Sequence, residues 1–233
     1  MSRVIFSQIL LLFLSQSGFE SIIAIDETYR PEVKLYRSHD CQGEFLFANY
    51  KLDSFVQYPS WEDKIHSALI RGPWIFYEHE YFNSVYEGSI DYIYSPRDIC
   101  FSFQNVGGKI SSFQFAGNGL DYRVSSLTIY KKTDYQGGFD IGQVYMEKDL
   151  PNVELQSQMS LILTGNIPFQ IYAEPDYKGG TFCIVPPPSK NVAPYAIPDF
   201  WSASIAYDSI RSVRLGCQQD YSNFFGIISG RYY

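Results

Sequence analysis

Histidine is scarce in this chain, and no charge of one sign dominates any stretch of it. Three His occur among 233 residues, at positions 39, 66 and 79. No HExxH, GxSxG or phosphate-loop spacing accompanies them, so the common hydrolytic and nucleotide-dependent chemistries have no motif to stand on. His79 reads as a packing or surface residue, and no pair of acids is singled out by spacing, so catalysis is not expected. Basic residues are also in deficit: 18 Lys plus Arg against 25 Asp plus Glu give a net charge of −7. That leaves nucleic acid no broad positive field to meet. Four cysteines are present, at 41, 100, 183 and 217, without a C-x-x-C pair, which removes the usual zinc and redox motifs. Four cysteines allow three pairings, and spacing alone does not choose between them. No Asn-x-Ser/Thr acceptor occurs, so N-linked glycosylation is not expected.

What is present in excess is aromatic. Twenty Tyr and 18 Phe, with Trp, make 18% of the chain, beside 17 Gly and 12 Pro. Aromatics favour strands, while Gly and Pro favour turns, so an all-β protein with many hairpins is expected. Apolar content of 45% with 18% charged residues describes a folded chain.

The N-terminus bears on the compartment. Arg3 precedes an almost wholly apolar run from Val4 to Leu14, and small residues follow at Ser15, Ser17 and Gly18. This is the pattern of a secretory signal peptide, assigned to residues 1–24, with cleavage after Ser17 or after Ala24. The run is too short to span a bilayer comfortably, and no other segment is long enough, so no transmembrane segment is expected.

A repeat organises the rest. Tyr130, Tyr135 and Gly137 in YKKTDYQGG match Tyr172, Tyr177 and Gly179 in YAEPDYKGG. The same spacing recurs as Phe76, Tyr81 and Asn83 in FYEHEYFN, and as Tyr36, Cys41 and Gly43 in YRSHDCQG. The steps between the last positions are 40, 54 and 42 residues, so two pairs of repeats form two domains. Each repeat reads as a folded hairpin. One aromatic packs over the turn and a second closes against it. The chain then reverses at positive φ, which Gly accepts freely and Asn tolerates. Cys41 replaces an aromatic and makes the first hairpin the most altered. Ile65, Ile110 and Ile210 stand two residues before Ser67, Ser112 and Ser212, on one face of a closing strand. Each Ser is expected to be buried with its hydroxyl bonded to backbone. The third repeat offers Leu155 and Ser157, more weakly.

Aromatic-x4-aromatic-x-Gly closed by D-x-I-x-S resembles the βγ-crystallins, and the stretches WEDKIHSALIRGPWIFYEHEYF and DSIRSVRL resemble their motif junctions and domain ends. The resemblance covers residues 33 to 217. It implies two Greek-key β-sandwich domains: residues 32–117, with motifs at 33–72 and 73–117, and residues 123–217, with motifs at 126–165 and 169–217. The DYRVSS stretch from Asp121 to Ser126 reads as linker and first strand. The aromatic tail 218–233 lies outside the repeats, either as a strand packed on the second domain or as a partner segment.

The resemblance also raises calcium, which many members bind through Asn/Asp-Asn/Asp-x-x-Ser/Thr-Ser. Here the first motif reads Glu62 to Ser67 and the second Gly107 to Ser112. Asp63 and Ser111 keep oxygens, while His66 and Gly108 do not. Arg211 opposes a cation in the second domain, where Val153 and Gln156 also stand at ligand positions. At most weak Ca²⁺ binding, around Asp63 and Ser111, is expected, with no other cofactor. The two-per-domain distribution and the family's strand order imply Cys41–Cys100 and Cys183–Cys217 disulfides.

The functional expectation is a secreted, non-enzymatic protein with a structural, matrix or coat role. The alternative is an extracellular recognition module for carbohydrate, membrane or a protein partner, or a protease inhibitor. Trp61, Trp74 and Trp201 are expected in cores and corners, with sugar stacking as the competing role.

Overall fold

A computed structural model describes residues 29–137, 143–153, 155–156, 159–186, 193–200, 209–218 and 226–229. The signal segment, Trp201, Ser157 and Asp208 lie outside these.

In the N-terminal half the strands are β1 (Glu32–Tyr36), β2 (Phe45–Ala48), β3 (Ser67–Tyr77), β4 (Ile90–Ser102) and β5 (Ser112–Phe115). All pair antiparallel. The order is β2-β1-β3-β4, with β5 on β3. β3 and β4 each serve two layers. The first part of β3 pairs with β1 from Ser67 to Arg71, and the second part pairs with β5 from Trp74 to Tyr77. The corner falls at Gly72, where the β3–β4 register shifts. Its φ of 88° belongs to the left-handed region, and a Cβ would meet Pro31 Cα and Tyr122 Cδ1 at 3.1 Å. Only glycine turns the strand there without strain. Leu52 adds a bridge to Phe113 on the outer edge of β5.

The space between the layers holds Val33, Leu35, Ile65, Ile70, Trp74, Phe76 and Phe113, all buried. Alternation along β3 decides which side each residue takes. Trp74 and Phe76 point into this core, while Ile75 and Tyr77 point to the opposite face.

The C-terminal half repeats the plan. One sheet has the order β7 (Gln143–Met146), β6 (Ser126–Tyr130), β9 (Ser160–Thr164), β12 (Tyr195–Ile197). The second sheet has β14 (Ser212–Leu215), β10 (Phe169–Glu174), β11 (Lys178–Val185) and β15 (Gly226–Ser229). Leu150 bridges to Val213 as Leu52 does to Phe113. A short pair, β8 (Leu155–Gln156) with β13 (Ser209–Ile210), closes one end. Leu127, Ile129, Leu161, Phe169, Ile171, Phe182 and Val213 fill the core. Part of the aromatic tail is therefore a strand: residues 226–229 pair with β11 and cover its edge.

The outward faces of the two halves meet. Ile75, Tyr77, Phe82 and Ala116 pack with Tyr130, Tyr135 and Ile162 in a third buried cluster. The Gly137 amide donates to the Phe82 carbonyl at 2.8 Å, and Lys132 Nζ donates to the Asn83 carbonyl at 3.0 Å. An interface that is both apolar and hydrogen-bonded resembles a core more than a hinge.

Each half carries one disulfide, Cys41–Cys100 and Cys183–Cys217, with Cα separations of 5.9 and 6.1 Å. Cys100 sits opposite Leu69 on β4, beside the first hairpin, so the bond ties that hairpin to the neighbouring strand.

Candidate functional site

Four serines bolt four hairpins, in one geometry. Ser67 Oγ donates to the Ser38 carbonyl at 2.6 Å and accepts from the Cys41 amide at 3.0 Å. Ser112 does the same with His79 and Phe82, at 2.6 and 3.0 Å. Ser160 joins Lys132 and Tyr135 at 2.6 and 2.8 Å, and Ser212 joins Glu174 and Tyr177 at 2.6 and 3.0 Å. All four serines are fully buried. Each uses its one proton and one lone pair on backbone groups that the reversal leaves unpaired.

Two sequence assignments change on this geometry. The third bolt is Ser160, not Ser157. Leu155 pairs with Ile210, but three further residues separate it from the bolting position compared with Ile65 and Ser67. The second hairpin is shifted by one residue. Its ring pair is Tyr77–Phe82, centroids 5.6 Å apart, matching Tyr130–Tyr135 at 5.9 Å and Tyr172–Tyr177 at 5.8 Å. Phe76 instead belongs to the N-terminal core, and Tyr81 is 46% exposed. FYEHEYF offers both readings at equal spacing. Burial decides between them, because Tyr77 faces the partner half and can place its hydroxyl there.

Left-handed backbone marks all four reversals. Cys41, Phe82, Tyr135 and Tyr177 have φ between 53° and 61°. Gly43, Gly137 and Gly179 follow two residues later at positive φ, whereas the matching Ser84 has φ −67°. Asn83 is left-handed too, at φ 56°, and is fully buried with its Oδ1 accepting from the His79 amide at 2.9 Å. In the first hairpin Cys41 supplies no ring, and Tyr36 packs instead against Phe45, centroids 5.7 Å apart and planes tilted by 50°.

The paired loops before Ser67 and Ser112 form two half-sites. In one, the Glu62 carboxylate lies near the Ser111 hydroxyl. Burial raises the Glu62 pKa, the charges of Asp63 and Glu80 push the same way, and the Ser111 hydroxyl partly offsets them. Asp63 is exposed on a left-handed turn, φ 51°. In the other half-site His66 lies over Gly107 and Gly108, so close that a Cβ at Gly108 would meet His66 Cε1 at 2.9 Å. The His39 ring lies against His66, centroids 4.7 Å apart. A hard cation wants six to eight oxygens. The first half-site offers one carboxylate and one hydroxyl, and the second fills the ligand space with an imidazole. Among the described residues no three His, Cys, Asp or Glu gather as a metal cluster.

Glu62 is the ligand-type residue that motif reading passes over in favour of Asp63. Its signal is present in the sequence, since it holds the first position of the motif that meets Ser111. In the C-terminal half, Arg211 receives the Val153 amide on its carbonyl at 2.8 Å, so a cationic residue stands in the loop pair where Ser111 stands in the first half. Trp61 and Trp74 are buried in the N-terminal core, and the Arg37 guanidinium lies over the Trp61 ring, 4.3 Å from its centre. Asp121 pairs with Arg123 at 2.7 Å in the linker, and Ser126 opens β6.

No family model matches the chain, and no curated protein matches it. Among solved structures it is similar to Geodin, a βγ-crystallin from Geodia cydonium, with a TM-score of 0.57 and 13% identity. The likeness covers 79% of this chain and 98% of that one. The fold is that of the βγ-crystallins: all-β, antiparallel Greek-key sandwiches. Among the described residues no helix is long and apolar enough to cross a membrane.

Proposed function

We propose that this protein is a secreted, non-enzymatic structural component of an extracellular matrix or coat. The observation that carries this reading is the buried interface between halves that are each cross-linked by a disulfide. Disulfides persist in oxidising compartments, and a welded two-domain body suits persistence rather than movement. The fold itself is one that mostly serves without catalysis. The competing recognition role would require specific ligands. A glycan array probed with the mature protein tests the choice: specific, saturable hits would replace the structural role with a carbohydrate-binding one, and blank arrays with high resistance to unfolding would support it.

Calcium binding in this reading is weak, roughly 10⁻⁴–10⁻³ M, and centred on Glu62 and Ser111 with Asp63 adding charge. Calorimetric titration of the full chain is expected to show this heat lost in Glu62→Gln. A tight site surviving that change would contradict the assignment.

A further inference from the structure

We propose that the cleft beside the interdomain linker is a small-molecule site in which the Lys51 amine captures an aryl aldehyde as a reversible Schiff base. The cavity has a volume of about 330 Å³ and lies between Lys51 and Phe115 of the first half, the linker at Asn118 and Leu120, and Tyr145 and Glu147 of the second. A second cavity of about 410 Å³ adjoins it and shares Tyr145 and Glu147. Both halves contribute to its walls, and it opens to solvent.

Lys51 is held in place from both sides. The next residue, Leu52, exchanges two backbone hydrogen bonds with Phe113, each 2.9 Å. The Lys51 Nζ stands 5.2 Å from the centre of the Phe115 ring. Among the described residues no carboxylate forms an ion pair with it. Partial burial disfavours the ammonium form and lowers the amine pKa to about 8. Near neutral pH its unprotonated fraction exceeds that of an ordinary lysine by on the order of a hundredfold. The unprotonated amine is the nucleophile.

The walls define the ligand. Phe115 and Leu120 offer apolar surface for a ring next to the amine. Part of the lining is polar: Glu147 Oε1 accepts from Asn118 Nδ2 at 2.6 Å and from the Tyr145 hydroxyl. The step balances without oxidant or reductant. The Nζ lone pair forms a bond to the carbonyl carbon, the carbonyl oxygen takes a proton, and Nζ loses one, giving a carbinolamine. That hydroxyl then leaves as water after a second protonation, and Nζ and carbon share a double bond. The Tyr145–Glu147 pair lies in the same cavity and can pass these protons.

The test uses the full folded protein with benzaldehyde, cyanoborohydride trapping and peptide mapping of the adducts. At low conversion the adduct is expected on Lys51 in at least tenfold excess over any other lysine. Its formation should rise with pH about a midpoint near 8. Acetaldehyde should show little preference, and Tyr145→Phe should slow capture of benzaldehyde. Adducts spread evenly over the lysines, or a Lys51 reaction that only begins near pH 10, would overturn the proposal. Equal preference for acetaldehyde would overturn its aryl specificity. The adduct is located on the unaltered chain, so the site assignment does not depend on a variant folding.

Discussion

The Tyr77 hydroxyl donates to the Tyr135 carbonyl at 2.6 Å, across the boundary between the two halves. It also accepts from Gln114 Nε2 at 2.7 Å, so one phenol satisfies a backbone group of one half and an amide of the other. Burial drives its pKa upward, so the phenol stays a donor through the range in which proteins are stable. Tyr77→Phe keeps the ring and removes only these bonds. It leaves the buried Tyr135 carbonyl without that donor and the Gln114 amide with only its longer bond to the Gly137 carbonyl, 3.4 Å, at a cost of about 1–3 kcal/mol. Chemical denaturation should show a lower midpoint and, if the halves uncouple, two transitions in place of one.

That hydrogen bond also marks the limit of what the sequence makes legible. The spacing finds all four hairpins, because a ring and a left-handed turn recur at fixed offsets, with a second ring in three of them. It does not choose between Phe76–Tyr81 and Tyr77–Phe82, which satisfy the same spacing in adjacent registers. A one-residue slip exchanges the two faces of a strand. Only the presence of the second half, with Tyr130 and Tyr135 against that face, selects Tyr77 for the interface. Glu62 is obscured for a related reason. Its carboxylate lies near a serine 49 residues away in sequence, brought to it by the pairing of two motifs. The disulfides are easier to read, since each links cysteines within one half once the strand order is known.

The serine bolts give a sharper test of register. Ser160→Ala removes a buried hydroxyl that satisfies the Lys132 carbonyl and the Tyr135 amide. A loss of about 1–3 kcal/mol is expected, with a similar loss for Ser112→Ala. Ser157→Ala, the substitution that the spacing alone would recommend, should cost less than Ser160→Ala when the two are measured side by side. A large effect at 157 and none at 160 would contradict the bolt.

Lys51 predicts a pH dependence of defined sign. Its folded pKa, about 8, lies below the usual 10.5. Between these values the unfolded chain binds the proton and the folded chain does not, so stability rises with pH across that window. Below about pH 8 both states are protonated, and the folded state bears the cost of a partly desolvated ammonium. Tyr145 and Glu147 line the same cleft and are common to both forms compared. Lys51→Met should therefore be more stable than the parent at pH 7. Its stability curve should also lack the rise between pH 8 and 10.5 when followed by urea denaturation. A parent curve that is flat over that range, or falls more steeply than the variant's, would mean that Lys51 reaches solvent in the folded state.

The tail strand protects an edge. β15 pairs with β11 from Phe182 to Val185 through Gly226 to Ser229, and Cys217 at the start of the tail is bonded to Cys183 on that same β11. Without β15, β11 would end the sheet and present unpaired N–H and C=O groups beside Cys183 and Ile184. Truncation after Gln218 retains the disulfide and every other sheet strand, so the halves should still fold. The exposed edge is then a template for pairing with a second copy. Light scattering on the truncated protein at rising concentration should show association that the full chain does not. Amide hydrogen exchange should speed up at the β11 amides that face β15, while β10 stays protected. If the truncated chain remains monomeric with β11 exchange unchanged, the tail is not what shields that edge.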